Sequence, residues 1–260
     1  ENSKLMNLSL QILKKGKLLP SGIFSIINNS LNVPMEKLAI KNKIFHFNIS
    51  ELEKMFDIKK PNIEIITKAK LPIKKTKDAE IIVFKFNNDP KEYFCILIGK
   101  ANKKNSFNFV PTVRIHSQCV TGDIFHSLKC DCGEQLNKSL DMMVENGEGI
   151  IIYLPQEGRD IGLTNKIRAY RLQEDGLDTV DANLTLGFKE DERSYDVAVA
   201  ILKKLNIKTI NLITNNPDKI KRLKDEGLKV VKLIKLKIKP NEINKKYIFT
   251  KKTKSKHIFN

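Results

Sequence analysis

The residues with the clearest chemical potential are three of the four cysteines, Cys119, Cys130 and Cys132, in the spacing C-x10-C-x-C. Two thiolates one residue apart cannot easily form a disulfide with each other, whereas both can bind one metal ion. Zinc favours tetrahedral thiolate sites, and three protein ligands with one open position are typical of a catalytic site. A single cysteine is more often an ordinary core residue. This set lies beside His116 and Asp123, and such clustering of ligand types favours a metal site.

The segment 113–136 resembles the zinc motif of GTP cyclohydrolase II, the enzyme family that opens the guanine ring of GTP at the start of riboflavin synthesis. The family pattern is R-x-H-S-E-C-x-T-G-D followed by S-x-x-C-D-C-x-x-Q-L. The matching residues are Arg114, His116, Ser117, Cys119, Thr121, Gly122, Asp123, Ser127, Cys130, Asp131, Cys132, Gln135 and Leu136. Gln118 departs from the pattern, because the family usually has Glu there. If that acid only positions ligand groups, activity survives the change, and we expect an active enzyme.

The resemblance assigns a role in catalysis to six positions, the three cysteines and three residues that follow them in the chain. Cys119, Cys130 and Cys132 would hold one catalytic Zn²⁺ per chain. Asp191 matches the family's general base, and Arg193 matches an arginine to which a nucleophilic role at the α-phosphate is assigned. A guanidinium is normally protonated and a poor nucleophile, so we interpret Arg193 as an electrostatic clamp. A third catalytic match, Tyr170, would orient the base or a water molecule.

The resemblance also assigns a GTP site, in which each residue alone would be an unremarkable polar surface group. The matching positions are Arg114, Ile115, His116, Ser117, Gln118, Gln135, Glu157, Gly158, Arg159, Thr179, Thr214 and Lys219. Arg114, Arg159 and Lys219 suit phosphates, with Mg²⁺ bridging the β and γ groups. Glu157 could accept hydrogen bonds from guanine N1–H and N2–H2, which would exclude adenine.

The elements that must position these residues alternate between strands and helices. The apolar runs at 81–86, 93–98, 112–116, 149–154, 209–214 and 229–234 predict strands. Helices are predicted at 134–144, 165–174 and 194–205, and a further one begins near 218. The segment 179–188 has little periodicity and is predicted to be a loop. The joint at Asn215-Asn216-Pro217 would present backbone N–H groups at a helix N-terminus, a general phosphate site. The fold class is therefore α/β (mixed α+β), as in the family.

The chain is predicted to contain two regions, an N-terminal extension at 1–66 and a cyclohydrolase domain at 67–260. The extension resembles the end of a 3,4-dihydroxy-2-butanone 4-phosphate synthase domain, which precedes the cyclohydrolase in bifunctional riboflavin enzymes. That synthase's metal-binding acids are absent, so the resemblance implies a remnant without synthase activity; an unrelated extension is the alternative. A turn leading into a strand is predicted at 19–27, a helix after Pro34 and a strand at 44–49, and Ser50 is a candidate N-cap for a short helix.

Composition limits the remaining possibilities. The 260 residues carry a formal net charge of +17, from 47 basic and 30 acidic residues. No apolar run of about 18 residues indicates a membrane span, no signal peptide is visible, and the cysteine pattern favours a reducing, cytoplasmic setting. The lysines are spread along the chain without a nucleic-acid motif, which favours attraction of a polyphosphate substrate over nucleic acid. The family implies a homodimer. The alternatives are a paralogue acting on another nucleotide and a basic nucleic-acid-binding protein without catalysis.

Overall fold

The computed structural model describes residues 2–25, 34–56, 62–86, 89–102 and 109–254. The chain divides into two compact units, Glu1–Lys60 and Pro61–Asn260. None of the described helices is both long and apolar enough to span a membrane.

The described part of the first unit contains three helices, α1 (Asn2–Lys15), α2 (Met35–Lys41) and α3 (Ile49–Phe56). Helix α2 confirms the helix predicted after Pro34. The strand predicted at 44–49 is wrong, because 44–48 is irregular and Ile49 begins α3; Ile44 and Phe45 are exposed and no described strand pairs with them. The strand predicted to follow the turn within 19–27 is not present up to residue 25, since 19–25 form no ladder, and 26–27 lie outside the described residues.

The start of α3 corrects the predicted cap. Ser50 lies inside the helix, and the residue before the helix is Asn48. The Asn48 N–H donates to Glu51 Oε2 at 3.2 Å, and the Asn48 carbonyl accepts the Leu52 N–H at 3.1 Å. The glutamate therefore returns to the backbone that precedes it, as in a capping box.

The second unit is a layered α/β structure that confirms the predicted fold class. Its elements in chain order are β1 (Ile63–Lys70), β2 (Ala79–Phe86), β3 (Tyr93–Gly99), β4 (Thr112–Ser117), α4 (Val120–Asp123), α5 (Cys132–Glu145), β5 (Glu148–Leu154), α6 (Glu157–Asp160), α7 (Leu163–Glu174), α8 (Thr179–Thr185), α9 (Asp196–Lys204), β6 (Thr209–Ile213), α10 (Pro217–Asp225), β7 (Lys229–Ile234) and α11 (Lys245–Thr253). The described strands form one sheet in the order β1-β2-β3-β5-β4-β6-β7. Strands β1, β2, β3 and β5 pair antiparallel, whereas β5, β4, β6 and β7 pair parallel.

Two helical layers cover the faces of this sheet. Ile150 and Ile152 belong to a buried cluster that includes the apolar residues of α9, whereas Ile151 belongs to a second cluster with Met143 of α5. Successive strand side chains point to opposite faces, so the two clusters lie on opposite sides of the sheet. Cys95 is fully buried in the first cluster, as expected for a cysteine that acts as a small core residue.

Strand β1 and helix α8 are among the elements that were not predicted. Strand β1 is an edge strand, exposed along most of its length, so its sequence lacks the apolar run of the central strands. The loop predicted at 179–188 is wrong for 179–185, which form α8. The Asp178 carboxylate caps α8 by accepting the N–H groups of Val180 (2.8 Å) and Asp181 (3.1 Å). An aspartate at this position is an N-cap signal, and it precedes a segment too short for clear periodicity.

Candidate active site

A cleft opens where the parallel strands β4, β5 and β6 end. Residues that follow all three strands line it, and it encloses about 1060 Å³ including its open mouth. In open α/β sheets, ligands bind at the carboxyl ends of the strands, because the connecting loops converge there. The position of the cleft therefore follows from the parallel pairing of these strands.

The cleft brings together nearly all of the predicted site residues. Those that line it are Arg114, Ile115, His116, Ser117, Gln118, Cys119, Cys130, Cys132, Gln135, Glu157, Gly158, Arg159, Tyr170, Thr179, Arg193, Thr214 and Lys219. Asp191 does not line the cleft. It reaches the site through its contact with Arg193.

Three thiols lie together in one part of the cleft. Cys119 precedes α4, and Cys130 and Cys132 stand at the start of α5. Their sulfur atoms all lie within 4.8 Å of one another, and the Sγ atoms of Cys119 and Cys130 are 3.6 Å apart. Two thiolates at about 2.3 Å from one tetrahedral ion would be roughly 3.8 Å apart. The spacing and the soft donor set therefore fit a metal ion such as zinc.

The thiol cluster contains one strongly acidic member. The pKa of Cys119 lies far below that of an ordinary thiol, because Cys130 and Cys132 donate to its thiolate and the Lys166 ammonium lies beside it. The pKa of Cys130 is raised to about 11, mainly by its hydrogen bond to Cys119. A thiolate is the form that binds metal, so the cluster already holds one ligand in its reactive state.

Gly122 allows the thiols to come this close. A Cβ atom at this position would meet Cys130 Sγ at 2.8 Å and Cys119 Sγ at 3.1 Å. Atoms essentially never approach a Cβ so closely in folded proteins, so a side chain here would displace the sulfur atoms. The glycine in the motif is therefore explained by contact with the cluster.

Asp123 fixes the loop that carries Cys119. Its carboxylate accepts the Cys119 N–H at 3.0 Å and the Tyr153 hydroxyl at 2.8 Å, and it contacts His116 Nε2 at 3.1 Å. Burial lowers the pKa of His116 despite the nearby carboxylate, so the imidazole is neutral near pH 7. Its Nδ1 atom is buried without a partner among the described residues.

The loop after β5 adopts an unusual backbone conformation. Gly158, Arg159 and Asp160 all have positive φ angles, of 63°, 62° and 71°. Arginine and aspartate are uncommon in this region of φ, and backbone strain of this kind is concentrated at functional sites. The conformation aims Arg159 into the cleft.

Lys166 is a site residue that the sequence reasoning missed. It lies in α7 one turn before Tyr170 and lines the cleft with it. Its ammonium contacts Cys119 Sγ at 3.1 Å and Glu157 Oε1 at 2.6 Å. The four-residue spacing of Lys166 and Tyr170 on a predicted helix, which places them on one face, was the available signal.

Two basic side chains, Lys219 and Arg114, are buried in another part of the cleft. Lys219 Nζ donates to the Ile115 carbonyl at 2.9 Å, and Arg114 donates to the Ile213 carbonyl at 3.2 Å and to Gln135. Neither contacts a carboxylate within the described residues. Burial lowers the pKa of Lys219, and nearby Arg114 lowers it further. Buried charges are normally paired, so this arrangement indicates an anionic ligand.

Arg193 and Asp191 form a tight pair at the edge of the cleft. Arg193 Nε and Nη2 donate to the two carboxylate oxygens at 2.8 Å and 2.6 Å, and the Arg193 N–H donates to the same carboxylate at 3.0 Å. Burial alone would raise the pKa of Asp191, but Arg193 lowers it overall. The carboxylate is therefore ionised and orients the guanidinium, which lines the cleft.

The joint after β6 uses two of its own backbone N–H groups in local hydrogen bonds. Thr214 Oγ1 accepts the Asn216 N–H at 3.0 Å, and Asn216 Oδ1 accepts the Asp218 N–H at 2.9 Å. Pro217 has no N–H to offer. These backbone donors are thus already used, and the joint contributes the Lys219 ammonium to the cleft in their place.

The C-terminal helix α11 supplies two further lining residues, Tyr247 and Lys251. Lys251 Nζ donates to Asp131 Oδ1 at 2.6 Å, and Gln135 donates to the other oxygen of Asp131 at 2.6 Å. Neither residue was among the predicted site residues. Lys251 and Asp131 are 120 positions apart in the chain, so no local sequence pattern indicates that they form an ion pair.

The second unit is similar in sequence to proteins of one family. The family model of GTP cyclohydrolase II matches residues 64–235. The GTP cyclohydrolase-2 of Picrophilus torridus is 47% identical over 197 residues, which cover 76% of this chain and 100% of that protein. The GTP cyclohydrolase-2 of Campylobacter hominis is 48% identical over 197 residues, covering 76% of this chain and 96% of that protein.

A longer match includes part of the first unit. The riboflavin biosynthesis protein RibBA of Endomicrobium trichonymphae is 41% identical over 244 residues, which cover 92% of this chain. The chain spans 59% of the length of that protein. Because only residues 61–260 belong to the second unit, a match of this length extends into the first.

Proposed function

The chain belongs to the GTP cyclohydrolase II family, and from that premise we propose that it hydrolyses GTP in the first step of riboflavin biosynthesis. The products would be formate, pyrophosphate and 2,5-diamino-6-ribosylamino-4(3H)-pyrimidinone 5′-phosphate. One observation carries the proposal: a single cleft contains both a three-thiol cluster and buried cations that have only neutral partners. The first suits hydrolysis of a ring and the second suits a polyphosphate.

Cys119, Cys130 and Cys132 would hold the zinc ion. Zinc bound by three protein ligands supplies Lewis acidity and water of lowered pKa for hydrolysis at guanine C8. The chain's own contribution is to fix the three sulfur atoms, through the start of α5 and through the hydrogen bond from the Cys119 N–H to Asp123.

Arg114, Arg159 and Lys219 would bind the phosphates, and Mg²⁺ would supply further positive charge for them. Arg114 and Lys219 are already desolvated in the folded protein, so a phosphate would gain strong charge-assisted hydrogen bonds from them. Arg193, held by Asp191, would contact the α-phosphate as an electrostatic clamp. The remaining predicted GTP-binding residues, Ile115 to Gln118, Gln135, Thr179 and Thr214, line the same cleft.

Asp191 is the proposed general base, and its pairing with Arg193 gives it a second role in orienting the clamp. A carboxylate whose pKa is lowered by an arginine is a weak base, so proton transfer would occur once substrate phosphate competes for Arg193. Tyr170 lines the cleft beside the thiol cluster, where it would orient the guanine base or a water molecule.

Gln118 would be a tolerated departure from the family pattern. Its backbone N–H donates to the Leu154 carbonyl at 2.8 Å, which joins the ends of β4 and β5. That hydrogen bond does not depend on the side chain. The side chain lines the cleft, where an amide can position a ligand without carrying a proton.

Replacing Cys130 with Ser tests the metal half of the proposal. We expect loss of bound zinc and of formate release, because two thiolates bind zinc far more weakly than three. Cys95→Ala is the matched control, since Cys95 lies in the core of β3 and contacts none of the three thiols. Full formate release from a zinc-free Cys130→Ser protein would exclude the assignment.

The first unit is proposed to correspond to the end of a dihydroxybutanone phosphate synthase domain. The match to the RibBA protein supports this, because it is 41% identical over 244 residues and extends into the first unit. We also propose a homodimer, as in the family, which light scattering of the purified protein would test directly.

A further inference from the structure

The ammonium of Lys166 is buried between two anionic groups of the cleft. It donates to Cys119 Sγ at 3.1 Å, to Thr121 Oγ1 at 2.8 Å and to Glu157 Oε1 at 2.6 Å. The residue is 7% exposed. All three donor positions of the ammonium are therefore used by the protein, and none remains for solvent or substrate.

Both carboxylate oxygens of Glu157 also accept hydrogen bonds from the protein. Its Oε1 accepts from Lys166 and from the Gly158 N–H at 3.2 Å, and its Oε2 accepts from the Val120 N–H at 2.7 Å. The residue is 6% exposed. This carboxylate joins the loop after β5 to the first residue of α4, which follows Cys119 directly. The geometry gives it a structural task inside the site.

A thiolate that accepts a hydrogen bond from an ammonium gives up part of its negative charge to that bond. Three thiolates and a divalent cation carry one net negative charge, and the Glu157 carboxylate lies close by. Without Lys166, two buried anions would face each other, and like charges at this distance repel strongly in a low dielectric. Lys166 thus decides both the position of Cys119 and its strength as an electron donor.

We propose that Lys166 is a positioning residue of the reaction, which holds the Cys119 thiolate and the Glu157 carboxylate together and so fixes the thiol cluster against the loop that binds substrate. This inference rests on the proposed zinc-dependent hydrolysis of GTP. Groups that orient metal ligands typically change metal binding or activity by 10- to 100-fold when they are removed.

The test replaces Lys166 with Met, which keeps the length of the side chain and removes the charge and the donors. In the cobalt-substituted protein, the sulfur-to-cobalt charge-transfer band should move to lower energy, because Cys119 becomes a stronger electron donor. In the zinc protein, kcat for formate release should fall by about 10- to 100-fold with little change in KM for GTP. Lys166→Arg, which keeps a charged donor, should retain the wild-type band position.

Lys129→Met is the matched control. Lys129 also lies over the Tyr170 ring, at 4.9 Å compared with 5.7 Å for Lys166, but its ammonium pairs with the exposed carboxylate of Glu174. Its loss should change neither the cobalt spectrum nor kcat.

A double-mutant cycle with Glu157→Gln checks the link between the two anions. If Lys166 acts between Cys119 and Glu157, the two substitutions together should lower kcat by less than the product of their separate effects. Independent effects would argue against the link.

Wild-type band position and kcat in a folded Lys166→Met protein would overturn the proposal. If that variant does not fold, Lys166→Arg decides the question. A charge-transfer band at lower energy than in the wild-type protein would overturn the proposal, and an unchanged band would support it. The cobalt spectrum requires no turnover. If the wild-type protein failed to hydrolyse GTP, the proposed function would be refuted, while the spectra of the variants would still test the role of Lys166.

Discussion

At the scale of single residues, Lys219 lowers the stability of the folded protein and is proposed to bind the phosphates of GTP. A buried ammonium without a counter-ion destabilises the folded protein, and the hydrogen bond from Lys219 to the Ile115 carbonyl offsets only part of that cost. We expect Lys219→Met to stabilise the ligand-free protein by about 1 kcal/mol or more. The same change should raise KM for GTP at least about tenfold, because a charge-assisted hydrogen bond to phosphate is lost. Thermal unfolding and steady-state kinetics measure the two effects.

The effect of Lys219 on stability should depend on pH with a defined sign. Burial holds the pKa of Lys219 below its unfolded value of about 10.4. Between the two values the unfolded chain binds more protons, so the stability of the wild-type protein rises with pH through that window. The advantage of Lys219→Met should therefore be largest below the lowered pKa and should vanish once the pH is well above the unfolded pKa. Lys221→Met, an exposed position on the same helix, should show no such trend; an equal trend there would contradict the account.

The close contact between Gly122 and the thiol cluster leads to a further prediction for a single residue. Gly122→Ala would place a methyl group 2.8 Å from Cys130 Sγ, so the sulfur atoms must move apart. We expect zinc affinity, measured by competition with a chelator, to fall about tenfold or more. Gly16→Ala, where the nearest atoms would be 3.6 Å away, is the control. Unchanged zinc affinity in Gly122→Ala would show that the cluster does not depend on this contact.

At the scale of elements, helix α11 is attached to the site by one buried ion pair. Removing the Lys251 ammonium would leave the Asp131 carboxylate, which is 1% exposed, without its cation. Breaking a buried pair in this way typically costs about 3–5 kcal/mol. We expect Lys251→Gln to lower the free energy of unfolding by about 3 kcal/mol and to weaken GTP binding, since Lys251 lines the cleft.

The neighbouring residue supplies the control for α11. Lys252 is exposed, and Lys252→Gln should change unfolding by no more than a few tenths of a kcal/mol. Denaturant unfolding of both variants decides the question. Equal effects of the two substitutions would mean that the ion pair does not attach the helix.

The elements also show what the sequence could predict. The central strands were predicted because burial on both faces makes them continuous apolar runs, as in β5. Edge strand β1 and the short helix α8 were missed, because an exposed edge and a seven-residue segment carry weak periodicity. The motif identified the cysteines, since their ligand chemistry is local. Lys166 and Lys251 were missed because their partners, Cys119 and Asp131, are 47 and 120 positions away.

At the scale of the whole molecule, the site belongs to one unit. Every residue that lines the cleft lies within Pro61–Asn260. The Picrophilus torridus relative is matched over 100% of its length by 197 residues, so a protein the size of this unit exists by itself. We expect a chain lacking residues 1–60 to retain zinc binding and kcat within about twofold. A loss of kcat with zinc still bound would show that the first unit contributes to the reaction.

The central claim is that one cleft opens the guanine ring and releases the terminal phosphates. The most direct test is a GTP turnover assay on the zinc-loaded protein with Mg²⁺, in which formate and pyrophosphate are measured separately. The account predicts equal amounts of the two products, and loss of formate in Cys130→Ser. Pyrophosphate without formate, or neither product while zinc is bound, would contradict it.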